Sequence, residues 1–154
     1  MALLLVRHGK SLPWDKDPAK GLSEEGISEV EHIAGVAKKY GVNVSRIMHS
    51  EKKRALQTAE IFASALKPDG GIQEIKGINP LDDVAAFADK IEISDNLMLV
   101  GHLPFMQRLT SYLITGSIEQ PVFKFQNSSI LCMDKNLEAA QTWFIKWALM
   151  PHLR

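Results

Sequence analysis

Leu3-Leu4-Leu5-Val6-Arg7-His8-Gly9-Lys10 opens the chain with four consecutive apolar residues that stop on a cation, an imidazole and a glycine. An unbroken apolar run of this kind predicts a strand buried on both faces, as found inside a parallel sheet. In open α/β sheets, ligands bind beyond the carboxyl ends of the strands, which is where Arg7 and His8 fall. Gly9 permits a sharp turn and a close approach of backbone to ligand. A fixed positive charge beside a titratable ring, at a strand end, suits an anionic substrate.

The same pattern returns downstream. Leu97-Met98-Leu99-Val100-Gly101-His102 is again an apolar strand ending on glycine and histidine, with Pro104 suited to the first turn of a helix over 105–114. Between the two runs, strands and helices alternate. Residues 11–22, with two prolines and Trp14, read as a loop over the edge of the sheet. Ser23 is placed to cap a helix with Glu24 and Glu25 in its first turn. Ile27, Val30, Ile33, Ala34 and Ala37 supply that helix's apolar face, His32 lies off it, and Gly41 ends it. A strand is expected over 44–50 and a helix over 51–66, with a turn at Asp69-Gly70-Gly71. A short edge strand over 72–78 and a helix over 83–91 follow. Beyond the second Gly-His run, residues 116–126 form a connection, 128–134 a strand, and Asn136 starts a turn. Trp143, Ile145 and Trp147 alternate as one face of a last strand.

This order predicts an α/β three-layer sandwich. Its central sheet has about six strands and is mostly parallel, with helices on both faces. The final two strands, with no helix between them, form an antiparallel edge. The 154 residues are expected to make one domain spanning 1–154, long enough for a real core. With 18 basic and 18 acidic residues the net charge is zero, which argues against a nucleic-acid-binding domain. No apolar run approaches a membrane span, and the N-terminus lacks the basic region of a signal peptide. Cys132 is the only cysteine, so no internal disulfide forms and a reducing cytoplasm is expected. A cysteine phosphatase would need an arginine shortly after its cysteine. Met133-Asp134-Lys135-Asn136-Leu137-Glu138 contains none, so Cys132 reads as a buried strand thiol.

Three strand-to-helix junctions now carry polar residues of one chemical type. Arg7-His8-Gly9, Leu22-Ser23-Glu24-Glu25-Gly26, Ser50 with Arg54-Ala55-Leu56-Gln57-Thr58-Ala59, and Gly101-His102 occur in that order. Together they resemble the histidine phosphatase superfamily, from residue 3 to about residue 132. The short segment before Gly101-His102-Leu103-Pro104 looks most like the SixA-type phosphohistidine phosphatases. The resemblance implies that His8 attacks phosphorus through a neutral ring nitrogen and carries the phosphoryl group covalently. It makes Arg7 and Arg54 the paired guanidiniums, with His102 the second histidine, all three stabilising the transferring group. No metal and no cofactor are implied, because side chains supply the positive charge. Ser50 either donates to phosphate or ends its strand. Gln57 and Thr58 are expected to orient the helix beside Arg54, Asn127-Ser128-Ser129 to offer a donor near the pocket, and His49 to point away from it.

The chain also departs from the pattern. Lys10 stands where many members have an acidic residue or glutamine, and it either reaches an anion or faces water. Larger relatives carry a glutamate that protonates the leaving group, and Glu74, Asp82 and Asp83 match it poorly. An alkoxide leaving group needs such an acid, whereas a protonated phosphohistidine ring departs as neutral imidazole. The expected activity is therefore a phosphohistidine protein phosphatase. Its partner, by resemblance, is a histidine phosphotransfer domain or a phosphotransferase-system carrier protein, and the chain acts as a monomer. A phosphatase of a small phosphate monoester and a non-catalytic phosphate-binding module are the alternatives.

Overall fold

The computed structural model describes residues 2–136, 138 and 142–153, and its first strand runs through the interior of a six-stranded sheet. In chain order the elements are β1 (Ala2–Arg7), α1 (Glu24–Lys39), β2 (Arg46–His49), α2 (Lys53–Leu66) and β3 (Ile72–Glu74). They continue with α3 (Val84–Lys90), β4 (Leu97–Gly101), α4 (Phe105–Thr115), β5 (Ile130–Lys135) and β6 (Trp143–Leu149). The sheet order is β3-β2-β4-β1-β5-β6. The first four strands in that order pair in parallel, and β5 and β6 join antiparallel at one side. The α/β architecture expected from the apolar runs is the one observed.

Alternation along each buried strand divides the core into two layers. Leu4 and Val6 of β1, with Met98 and Val100 of β4, pack under α1 and α2. Leu3 and Leu5, with Leu97 and Leu99, pack under α3 and α4. The neighbours β1 and β4 thus send their following helices to opposite faces, which opens a crevice at their carboxyl ends. The register brings Arg7 opposite Gly101, and the His8 amide donates to the Gly101 carbonyl at 3.0 Å. His8 and His102 therefore leave the sheet side by side.

Local chemistry explains most boundaries. Ser23 Oγ accepts from the Gly26 amide at 3.0 Å and starts α1, with Glu24 and Glu25 in the first turn. Asp83 Oδ1 caps α3 through the Ala86 amide at 3.0 Å. Pro104 stands at the N-cap of α4 rather than inside its first turn, after a cis Leu103–Pro104 bond.

Three expectations need correction. Ile27 is exposed at 36%, and Gly26 takes the buried position of that turn. A Cβ on Gly26 would stand 2.1 Å from the Lys10 carbonyl oxygen, so only a bare α-carbon lets α1 approach the segment after β1. The alternation of Trp143, Ile145 and Trp147 also fails. A bulge lets Cys132 pair with Trp147 while Met133 pairs with Ile145, skipping Lys146. Trp143 consequently packs with α3 and α4 and Trp147 with α1 and α2, leaving Ile145 at 40% exposure. Residues 11–22, finally, do not lie over a sheet edge. They fold onto α2: Asp17 Oδ2 accepts from the Gly21 amide and from Lys53 Nζ, both at 3.0 Å, and Gln57 Oε1 accepts from the Leu22 amide at 2.6 Å. Most of the turn begun at Asn136 lies outside the described residues.

Gly26→Ala should lower stability by about 1–3 kcal/mol, because backbone has to move to admit one methyl group. The check is a lower urea midpoint at unchanged slope; an unchanged midpoint would contradict the close approach.

Candidate active site

The side chains of the crevice are held by one local bond and several long-range ones. His8 Nδ1 lies 2.6 Å from the Gly9 carbonyl oxygen. A carbonyl only accepts, so Nδ1 donates and carries the proton, which leaves the Nε2 lone pair free. Gly9 is pinned in turn: its amide donates to Thr58 Oγ1 at 3.0 Å, and Thr58 Oγ1 donates to the Arg54 carbonyl at 2.8 Å. A Cβ on Gly9 would sit 2.6 Å from Val30 Cγ2. Thr58 therefore does more than orient its helix, since one hydroxyl ties the backbone of Arg54 to the turn after His8.

The segment before β5 holds the opposite side. Arg7 Nη1 donates to the Phe125 carbonyl at 3.1 Å. Asn127 Nδ2 donates to the His8 carbonyl at 3.1 Å. The Ser128 amide reaches the Arg7 and His8 carbonyls at 3.0 and 3.3 Å. Ser128 does so in a left-handed conformation, φ 68°, which a non-glycine residue adopts only under constraint. The donors expected from Asn127 and Ser128 are real, but they grip the backbone of Arg7 and His8.

The rings of His8 and His102 have centroids 5.0 Å apart, inclined at 52°. His102 is 1% exposed, and its Nε2 is 2.5 Å from Ser50 Oγ. Arg54 stands in the first turn of α2, and its charge acts on both rings. Among the described residues neither Arg7 nor Arg54 forms an ion pair with a carboxylate. Buried Arg7 Nε and His102 Nδ1 have no hydrogen-bond partner among the described residues. Burial lowers both guanidinium pKa values, yet a guanidinium stays charged at working pH. The His8 pKa is pushed down to about 4, first by burial and then by Arg54, Arg7 and Lys20, against the opposing bond to Gly9. Burial, His8, Arg54 and Lys52 push that of His102 down to about 3. Two neutral imidazoles and two guanidiniums without a carboxylate ion pair among the described residues have the chemistry to hold a tetrahedral oxyanion.

The other candidates fall outside this cluster. His49 pairs with Val100, on the α1/α2 side of the sheet, and its Nδ1 donates to the Ser50 carbonyl at 2.8 Å. Lys10 forms an exposed ion pair with Glu25 at 2.8 Å. Asp82 and Asp83 line a separate cavity of about 780 Å³ beside α3, where Asp82 Oδ2 accepts from the Asn79 amide at 2.8 Å. Glu74 ends β3 at the sheet's edge, exposed. Cys132 is buried mid-strand against Leu4, and burial raises its thiol pKa to about 11, which makes it a poor nucleophile. Among the described residues no three His, Cys, Asp or Glu side chains converge as a metal site. Lys20 and Lys52, whose charges reach the rings, escaped the sequence reading.

The model of the histidine phosphatase superfamily (branch 1) matches residues 3–79, half of the chain, carrying Arg7, His8 and Arg54. Phosphohistidine phosphatase SixA of Escherichia coli (strain K12) is 23% identical over 149 residues, covering 93% of this chain and 92% of that protein. A structure of the protein histidine phosphatase SixA complexed with tungstate superposes with a TM-score of 0.78 at 23% identity, over 98% of this chain and 97% of that one. Phosphoserine phosphatase from Entamoeba histolytica, in complex with 3-phosphoglyceric acid, superposes with a TM-score of 0.69 at 17% identity, over 96% and 95%. The fold is thus shared by phosphatases named for very different substrates, while the family match covers the junctions that carry Arg7, His8 and Arg54. By that match the chain belongs to the histidine phosphatase superfamily, branch 1, and its chemistry is of the phosphatase type.

Proposed function

We propose that the protein hydrolyses phosphohistidine carried on another protein. The observation that carries the reading is the neutral Nε2 of His8, free to attack, set beside Arg7 and Arg54, which have no acidic partner among the described residues. Nε2 forms a bond to phosphorus as the bond from phosphorus to the substrate imidazole breaks, and that imidazole departs neutral with its proton on the other ring nitrogen. Water then attacks phosphorus, the His8–phosphorus bond breaks, and inorganic phosphate leaves with the proton balance met by solvent. Arg7, Arg54 and His102 stabilise the equatorial oxygens in both steps. The guanidiniums supply the charge that a metal ion supplies elsewhere.

The substrate class follows from what surrounds the socket. Glu74 at the sheet's edge and Asp82 and Asp83 beside α3 stand outside the His8–His102 cluster, which suits a leaving group other than an alkoxide, since an alkoxide benefits from an acid to protonate it. A phosphoramidate has no such need. The likeness to a phosphohistidine phosphatase over most of both chains, and to a structure holding the tetrahedral oxyanion tungstate, supports the same choice. A histidine phosphotransfer domain or a phosphotransferase-system carrier protein fits the partner role. Action as a monomer in the cytoplasm belongs to the same proposal; no helix among the described residues is long and apolar enough to cross a membrane. The likeness to a phosphoserine phosphatase favours a small phosphate ester as the second reading. Turnover of a phosphohistidine protein, set against a panel of sugar and nucleotide phosphates, separates the two; clear preference for one ester would overturn the proposal.

Brief incubation with radiolabelled phosphohistidine protein should trap an acid-labile, alkali-stable adduct. The adduct disappears in His8→Ala and persists in Cys132→Ala; an adduct in His8→Ala would remove His8 from its role. Arg54→Lys should lower kcat/KM by about 10²–10³-fold, the usual cost of removing one oriented donor. Loss of less than about threefold would place Arg54 outside the transition state.

In the unfolded chain His8 and His102 take up protons near pH 6.5, whereas the folded site resists until about 4 and about 3. Their contribution is therefore fully present above pH 6.5 and is lost as pH falls through about 4 for His8 and about 3 for His102. Urea unfolding at stepped pH should show this acid loss in the wild type and a shallower one in His8→Asn. Equal slopes would contradict the buried neutral ring.

A further inference from the structure

We propose that Ser50 sets the tautomer of His102, donating its hydroxyl hydrogen to Nε2 so that the ring proton sits on Nδ1, the atom offered to the phosphoryl oxygens. The inference rests on the proposed phosphatase reading for the role of His102, but the tautomer itself does not.

Hydrogen counting decides between the two forms. Ser50 is 1% exposed and His102 equally buried, and Ser50 Oγ and His102 Nε2 face each other. Ser50 Oγ has two neighbours: the Lys52 amide, which donates to it at 3.3 Å, and His102 Nε2 at 2.5 Å. If Nε2 carried the ring proton, Oγ would accept both bonds. Its own hydrogen would then have no acceptor, and the Nδ1 lone pair would have no donor, giving two buried polar groups left over. If Ser50 donates instead, its hydroxyl is satisfied in both senses and only Nδ1–H remains. Nδ1 is indeed one of the buried atoms without a partner, and so is Arg7 Nε in the same cluster. Arg7 Nε always carries a hydrogen. Two unsatisfied donors beside the His8 nucleophile are what a site awaiting oxyanion oxygens leaves behind, and one phosphoryl group answers both.

The arrangement gives the strand-end serine a definite task. A low His102 pKa, about 3, means that the ring works as a neutral dipole, and a neutral ring donates through only one nitrogen. Without Ser50, Nε2–H competes with Nδ1–H, and in that form His102 presents a lone pair to the anion. Lys52 contributes through its backbone, because its amide orients the Ser50 hydroxyl away from itself. Ser50 is thus a positioning residue that acts through His102.

The test is nitrogen-15 NMR of the histidine rings in the free, full-length protein. The expected result is a protonated Nδ1 and an unprotonated Nε2 at His102, with the Nδ1–H signal shifting when inorganic phosphate is added. Ser50→Ala should bring in the Nε2–H form and lower kcat about tenfold or more with a smaller change in KM. Ser50→Thr, which keeps the hydroxyl, should restore both the tautomer and kcat. A proton on Nε2 in the wild type, an unchanged tautomer in Ser50→Ala, or a phosphate-insensitive Nδ1–H would overturn the proposal. The free-protein tautomer reads the same whether or not phosphohistidine proves to be the substrate, so the failure of one claim is distinguishable from the failure of the other.

Discussion

The in-register parallel pairing of β1 with β4 is the constraint on which the rest depends. It puts Arg7 opposite Gly101, so the next residue on each strand is a histidine and the two rings come to 5.0 Å. A slip of one residue would turn alternate side chains to the other layer of the core, exchanging Leu4 and Val6 with Leu3 and Leu5. Burial of both faces therefore enforces the register, and the register delivers the site. Hydrophobic packing along the strands and chemistry at their ends are one specification.

Positive charge is the second theme. Two guanidiniums, with no ion pair to a carboxylate among the described residues, act on two low-pKa imidazoles, an arrangement that costs stability. The fold meets that cost with backbone anchors. The segment from Phe125 to Ser128 binds the carbonyls of Arg7 and His8 and the guanidinium of Arg7. Thr58 binds the turn after His8 to the backbone of Arg54. Support of this kind fixes donors in place beforehand, which is what the proposed phosphoryl transfer would need in order to proceed without reorganisation. Strain at Ser128, φ 68°, sits at the same place.

What the amino-acid order discloses, and what it hides, follows from how local each interaction is. The two apolar runs and the Gly-His endings announce β1, β4 and the α/β layering, because burial on both faces leaves a continuous pattern. Ser23 at the start of α1 is equally legible, since its cap bond reaches three residues along. The bulge that sends Trp143 and Trp147 to opposite layers leaves no local sign; it arises from the pairing with β5. Gly26 replaces Ile27 at the buried position because of a carbonyl sixteen residues earlier at Lys10. The bond from Ser50 to His102 spans 52 residues, and that from Asn127 to His8 spans 119. Family likeness named the residues of the socket, but only coordinates reveal which atoms hold them and which atoms are left free.

A crystal structure of the protein with tungstate tests the central claim most directly. One oxyanion is predicted within hydrogen-bond reach of Arg7, Arg54 and His102 Nδ1, with His8 Nε2 aimed at its central atom. An oxyanion bound elsewhere, or bound in the crevice with His8 Nε2 turned away, would contradict the account.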